Sequence, residues 1–220
     1  VSDVEHGLGR LPFVADERDY ILAAHPGLAE PRKLPARRLW RSARVLNQGE
    51  SNHCVGFSWC GWGIARPVCT AYTTRDGHAI YRECKVLDGD PSGENGSYIR
   101  SGAKAMAARG RIASYYCSDA DDWDALTAFV LGVGPVVIGI AWTADMFAPV
   151  AGIIRPTGPV RGGHAILWRG LDTVSGMARL RNSWGAGWGR KGDCLIRASE
   201  LRALLRDGGE AWAAKEARHD

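Results

Sequence analysis

The sequence predicts an α+β protein of two lobes meeting at a cleft, with helices in the first part and strands in the second. Three observations carry this. Val55–Ala65 is apolar nearly all round, as a helix buried between two layers would be. Past Gly134 the texture changes to short β-branched or alternating runs. Helices come first and strands afterwards, which argues for segregated lobes and against an alternating parallel sheet.

Residues 1–35 mix Pro, charge and short apolar pieces without a sustained period, and read as an extended arm or propeptide-like extension over a body formed by residues 36–220. The helical lobe is expected at about 45–130 and the β lobe at about 131–200, followed by a C-terminal segment. The first helix starts at Cys54 with Asn52 as its N-cap. A second runs Ile99–Arg109 and is closed by Gly110. A third covers Trp123–Leu131, its positive end facing Asp119, Asp121 and Asp122. Pro135–Ile140, Ala165–Trp168, Ala178–Asn182 and Cys194–Arg197 read as strands.

With 220 residues the chain can bury roughly 70% of its unfolded surface. Hydrophobic content of 45% and charged content of 24% exclude disordered, collagen-like and coiled-coil classes. The longest apolar stretch, Val133–Trp142, falls short of the ~20 residues of a membrane span. Val1–Glu5 has neither the basic start nor the apolar run of a secretory signal. A net charge of +4 is too weak to announce nucleic acid. The cation-dense strip Arg32–Arg44 could bind phosphate but reads better as a solvated face whose long stems cover apolar surface. Cys60, Cys69, His78 and Cys84 lack the short paired spacing of structural zinc sites, so no metal or cofactor is expected.

Chemistry concentrates in three pieces: Asn47–Cys54 opening the buried helix, Gly162–Ala165 opening a strand, and Asn182–Gly189 after another. They supply a Cys, a His and an Asn in that chain order. A thiol at a helix N-terminus feels the positive end of the dipole, and a neighbouring imidazolium lowers its pKa further, as a cysteine nucleophile requires. His53 adjoins the thiol, but successive helical residues diverge by ~100°, so it reads as a rim or capping residue.

These residues resemble the papain-like cysteine peptidases, in a prokaryotic or phage-type branch. Gln48 and Cys54 fit the Gln-x5-Cys pattern, Asn182-Ser183-Trp184-Gly185 and Gly187-Trp188-Gly189 are the most specific pieces, and Gly93–Tyr98 looks like the family's Gly-Cys-Asn-Gly-Gly-Tyr segment. The resemblance covers about Leu34 to Ile196. It implies a two-lobed papain-like fold, with an N-terminal helical lobe and a C-terminal antiparallel β-barrel-like lobe around the cleft, and a thiol peptidase acting through a thiolate–imidazolium pair and an acyl-enzyme. Cys54 would attack, His164 would act as acid and then base, Asn182 would orient the imidazole beneath Trp184, and Gln48 with the Cys54 N–H would bind the oxyanion. Gly96 and Ser97 would pair with the substrate backbone. Tyr98, Ile99, Gly139, Gly162, Gly163 and Ala165 would line the substrate groove, with a roomy apolar pocket expected to take Leu, Phe or Tyr two residues before the scissile bond.

The sequence also departs from the family. Ser51-Asn52-His53-Cys54-Val55 replaces the usual Cys-Gly-Ser-Cys-Trp, and Glu94 stands where the partner cysteine would be, so both ends of one family disulfide are gone together. A monomer acting on peptide or protein substrates is expected, with possible autoinhibition by the arm. Two alternatives remain: a catalytically silent binding module, and acyl transfer to an amine in place of water.

Overall fold

The computed structural model describes residues 6–29, 33–93, 95–118 and 121–217; Glu94, Asp119 and the Arg32 end of the basic strip lie outside them. Three helices, α1 (Cys54–Ile64), α2 (Thr74–Leu87) and α3 (Ile99–Ala108), form one side of the molecule. Two more, α4 (Trp123–Gly132) and α5 (Ala198–Arg206), pack on the other side of a sheet. The strands are β1 (Tyr20–Ile21), β2 (Arg37–Leu39), β3 (Ile112–Ser118), β4 (Val136–Thr143), β5 (Val160–Asp172), β6 (Met177–Arg181), β7 (Asp193–Arg197) and β8 (Glu210–Glu216). Their order is β1-β3-β8-β4-β5-β6-β7, with β2 on β5, and every pairing except β1–β3 is antiparallel. The sheet does not close on itself, so the barrel-like expectation is corrected to an open sheet. Strands β1, β2 and β3 precede the expected start of the β lobe at about residue 131.

The centre of this sheet is covered on both faces. Val137 and Leu167 point into a cluster with Phe57, Trp59, Ile80 and Met106, whereas Val136, Ile138, Ile166 and Trp168 join Leu126, Phe129 and Leu201 on the opposite side. Side chains alternate along a strand, so a strand buried on both faces must be apolar at successive positions, as Val136–Ala141 is. β5 therefore delivers His164 to one face and Ala165 to the other.

α1 is buried along its whole length, its glycines letting neighbours close in: a β-carbon at Gly56 would stand 2.6 Å from the Tyr81 nitrogen. Its N-cap is His53, one residue later than expected; the ring makes no capping hydrogen bond but stacks on Tyr81 at 3.8 Å and meets His78 Nδ1 at 2.7 Å. α3 ends as the sequence predicts. Gly110 takes a left-handed φ of 68°, its N–H donates to Ala107 and that of Arg111 to Met106, the double closure of a Schellman turn.

α2, β3, α5 and β8 were not expected. The first carried a legible signal, since Thr73 and Asp76 form a capping box. The last inserts between β3 and β4 and sets Glu210 opposite Gly139. The arm is anchored as it leaves the cleft: Leu22 is fully buried, His25 packs edge-on against Tyr116 and Phe129, and Arg100 pairs with Asp19. Of the described helices none is long and apolar enough to cross a membrane.

Candidate active site

Cys54 is the first residue of α1 and is completely buried. The N–H of Ala165, one residue past His164 on β5, donates to its Sγ at 3.4 Å, so the two lobes meet at the sulfur. His164 is equally buried, and its Nε2 lies 2.8 Å from Asn182 Oδ1. That oxygen also accepts the Ser183 N–H at 2.8 Å. Two donors converge on one amide oxygen, so Nε2 carries the ring proton and the neutral imidazole keeps its lone pair on Nδ1. Nδ1 is buried without a hydrogen-bond partner among the described residues.

An aromatic cage holds this ring. Trp142 meets it edge-on at 4.7 Å, Trp184 lies over it at 4.8 Å, and Phe147 stacks on Trp184 at 5.4 Å. Trp188 closes the group against Trp184 and anchors it by donating Nε1 to the Phe147 carbonyl at 2.8 Å. Excluding water from the His164–Asn182 hydrogen bond strengthens it. Sequence reasoning found Trp184 but missed Trp142, which sits in an apolar strand with nothing local to distinguish it from core.

Gln48 is fixed from both ends. Its backbone N–H donates to the Ser183 carbonyl at 2.7 Å, and its Oε1 accepts the Ser183 hydroxyl at 2.6 Å. With that oxygen occupied, Nε2 is turned to the Ser51 carbonyl at 2.5 Å and outward to the cleft. Ser183 is thus a positioning residue that the sequence did not single out. Ser97 is held by another local network. Lys85, buried on α2, donates to the Gly96 carbonyl at 2.6 Å and pairs with Asp90 at 2.7 Å, while Asp88 accepts the Ser97 hydroxyl at 2.7 Å and that of Ser101 at 2.5 Å.

The arm fills the groove these residues make. His6 stacks on Trp184 at 4.4 Å, and the Gly7 carbonyl accepts Gln48 Nε2 at 3.0 Å. The N–H groups of Gly9 and Arg10 both donate to the Gly163 carbonyl, at 3.1 and 2.9 Å. Ser97 donates to the Gly9 carbonyl at 2.8 Å and accepts the Leu11 N–H at 3.0 Å, so Arg10 runs parallel to Ser97 as an added strand. Glycine at positions 7 and 9 is what permits this approach, because a β-carbon there would collide with the Ser51 and Asn52 carbonyls.

The sequence-predicted groove residues are therefore brought together around the arm: Gly162 faces Leu8, Gly163 and Ser97 bond its backbone, and Gly139 and Ile99 flank the Arg10 side chain. Tyr98 is the N-cap of α3, and Ala165 points into the helical-lobe core while its N–H serves Cys54. Glu210, which sequence reasoning missed, accepts Arg10 Nε at 2.9 Å.

Beneath the arm the electrostatics differ from the expected ion pair. Burial pushes the Cys54 thiol up to about 11, against the opposing N–H donors of Ala165 and Gly9. It also pushes the His164 imidazole down to about 4, against the support of Asn182. Desolvation penalises both charged forms and outweighs the helix terminus, so the covered pair is held neutral. All six cysteines are free thiols.

A sequence model described as papain family cysteine protease matches residues 46–203. No curated protein matches the chain by sequence. Among solved structures, xylellain, a cysteine protease from Xylella fastidiosa, superposes with a TM-score of 0.75 at 20% identity, over 97% of either chain. Procathepsin B S9 from Trypanosoma congolense gives 0.70 at 16% identity over 95% of this chain and 86% of that one. Digestive procathepsin L 3 from the larval midgut of Tenebrio molitor gives 0.66 at 19% identity over 96% and 76%.

Proposed function

Because the chain belongs to the papain family of cysteine proteases, a family of peptidases, we propose that it hydrolyses peptide bonds through Cys54, His164, Asn182 and Gln48, and that its arm holds it inactive. The observation that carries this reading is the junction at Cys54. A helix-terminal thiol receives the N–H next to His164, and His164 has Nε2 engaged by Asn182 and Nδ1 unengaged.

When the arm leaves, water returns to both groups, the desolvation that favours the neutral pair is relieved, and the proton passes from Sγ to Nδ1. The thiolate attacks the scissile carbonyl, and its oxyanion is met by Gln48 Nε2 and the Cys54 N–H, each worth about 3 kcal/mol in comparable acyl-transfer sites. His164 then protonates the leaving amine, giving the acyl-enzyme, and afterwards takes a proton from the water that releases the acid.

Arm direction supports inhibition over cleavage. A productive substrate places the scissile carbonyl at Gln48 and puts in the pocket the side chain of the residue preceding the scissile one. The arm reverses that order: its carbonyl at Gln48 belongs to Gly7, and the side chain in the pocket is that of Arg10, three residues later. Without arm displacement the chain should cleave peptides slowly and alkylate slowly at Cys54. Displacement should raise both, and Cys54→Ala should abolish hydrolysis. Hydrolysis that survives Cys54→Ala, or that iodoacetamide labelling of Cys54 leaves unchanged, refutes the mechanism.

A further inference from the structure

At the end of α1 away from Cys54, a cavity of about 660 Å³ opens between the strip that leads into Gln48 and the loop after the helix. That volume is in the range of small-molecule sites, about 300–1,000 Å³. Its cations come from two segments: Arg41 and Arg44 from the basic strip, and Arg66 from the loop that follows α1. Backbone ties the two segments together, since the Arg66 N–H donates to the Arg41 carbonyl at 2.8 Å and Ser42 bridges Ala65 antiparallel. All three arginines are exposed, and none of them forms an ion pair among the described residues. Neighbouring arginines are committed: Arg37 to Asp172, and Arg169, Arg179 and Arg181 to Asp193. The charges left over therefore line one concavity. Its apolar part is Leu39, 47% exposed, with Ile64, the last residue of α1. A helix C-terminus repels anions, but here the Gly61 and Gly63 carbonyls are occupied, by the N–H groups of Ala65 at 3.0 Å and Thr70 at 2.7 Å.

We propose that this cavity binds a small organic polyphosphate of the nucleoside triphosphate class, its phosphates on Arg41, Arg44 and Arg66 and its planar body on Leu39 and Ile64. The site is separate from the cleft and stands whether or not the chain is an active peptidase. Three guanidiniums offer three fixed positive charges in planar forks, which match phosphate oxygens bidentately. A single carboxylate answers only one of them, and a polyphosphate answers all. Guanidinium faces also stack on flat rings, and an exposed leucine gives such a ring an apolar seat, which an inorganic ion does not use. A concave site favours a small molecule over a membrane or a nucleic-acid strand, and a net charge of +4 adds little long-range attraction to either.

Cys69 supplies the readout, because its thiol is exposed and lines the same cavity. The chain is labelled with N-ethylmaleimide and mapped by peptide mass, which separates Cys69 from the buried Cys54. The probes are ATP in EDTA, adenosine, tripolyphosphate, a single-stranded DNA oligonucleotide and phosphatidylserine vesicles. ATP at about ten times its Kd should slow labelling of Cys69 about tenfold. Adenosine and tripolyphosphate, each carrying half of the recognition, should need at least about tenfold higher concentration for the same effect. Arg44→Gln should weaken the protection, and Arg41→Gln combined with Arg66→Gln should remove it; all three side chains are exposed, so the fold does not depend on them. No protection by millimolar ATP, protection undiminished in the double variant, or tripolyphosphate as effective as ATP overturns the proposal. Protection by the oligonucleotide or the vesicles without protection by ATP overturns it in favour of a macromolecular partner.

Discussion

Asp193 offers a sharp test of what holds the site's loop in place. Asp193 is 4% exposed and its carboxylate serves three guanidiniums: Arg169 bidentately at 3.1 and 2.5 Å, Arg181 at 2.6 Å and Arg179 at 3.5 Å. Arg169 also reaches the Trp40 carbonyl, and Arg181 the Arg44 carbonyl, so the cluster ties β5, β6 and β7 to the strip leading into Gln48. Burial already pulls the Arg181 pKa down, with Asp193 acting against it. Asp193→Asn keeps the shape and removes the only anion from this group, leaving Arg169 and Arg181 buried and uncompensated. Breaking a buried pair this way costs about 3–5 kcal/mol, which at about 2 °C per kcal/mol for a chain of this length lowers Tm by about 6–10 °C. Thermal unfolding followed by tryptophan fluorescence measures it, and Asp193→Asn with Arg181→Met should recover part of the loss. A shift under about 2 °C would show that the arginines find water or other partners on losing Asp193, and the structural role argued here would fail.

Other outcomes are open to direct measurement. Under the arm the Cys54–His164 pair keeps its one proton up to about 11, the thiol's pKa there, whereas an opened pair releases it nearer the ordinary thiol value of about 9. Arm closure is then undiminished by this pair below about pH 9 and weakens as pH rises toward 11, by up to about 3 kcal/mol. Amide exchange at Gly9 and Arg10, corrected for intrinsic rate, should speed up from about pH 8 to about pH 10; unchanged or slower exchange contradicts this. Gly102→Ala drives a β-carbon to 2.6 Å from Trp59 Nε1, whose hydrogen bond to the Ile99 carbonyl fixes the start of α3. Overpacking there should destabilise by about 1–3 kcal/mol, and a neutral Tm would refute it. Lys85→Met should loosen the Gly96–Ser97 backbone and raise KM for peptides more than it lowers kcat; equal loss in both would argue against a positioning role for Lys85.

The side chains of the candidate site were legible because each rests on a local backbone constraint that leaves a written trace: Cys54 at a helix start, Gly162-Gly163 before His164, Asn182 ahead of a tryptophan–glycine run. The helix α1 and the strands β4 to β7 could be read from periodicity for the same reason. What escaped depends on contacts distant in sequence. Glu210 lies in β8, whose place between β3 and β4 nothing nearby in the chain announces, and opposite Gly139 only through that register. Ser183 was in view inside a motif, but its grip on Gln48 is a meeting of residues 135 positions apart. The thiol and imidazole were expected ionised because a sequence shows the helix end and not the arm lying over it.

On the peptidase reading proposed above, the backward course of residues 6–11 also sets the kinetic order of any self-processing. A molecule cannot sever the stretch it is wearing, since no amide there is offered to the sulfur in the sense that leads to acylation. Shedding by proteolysis consequently requires a neighbour whose groove is already vacant, and progress curves would show a lag that shortens with enzyme concentration and vanishes when a trace of trimmed protein is seeded.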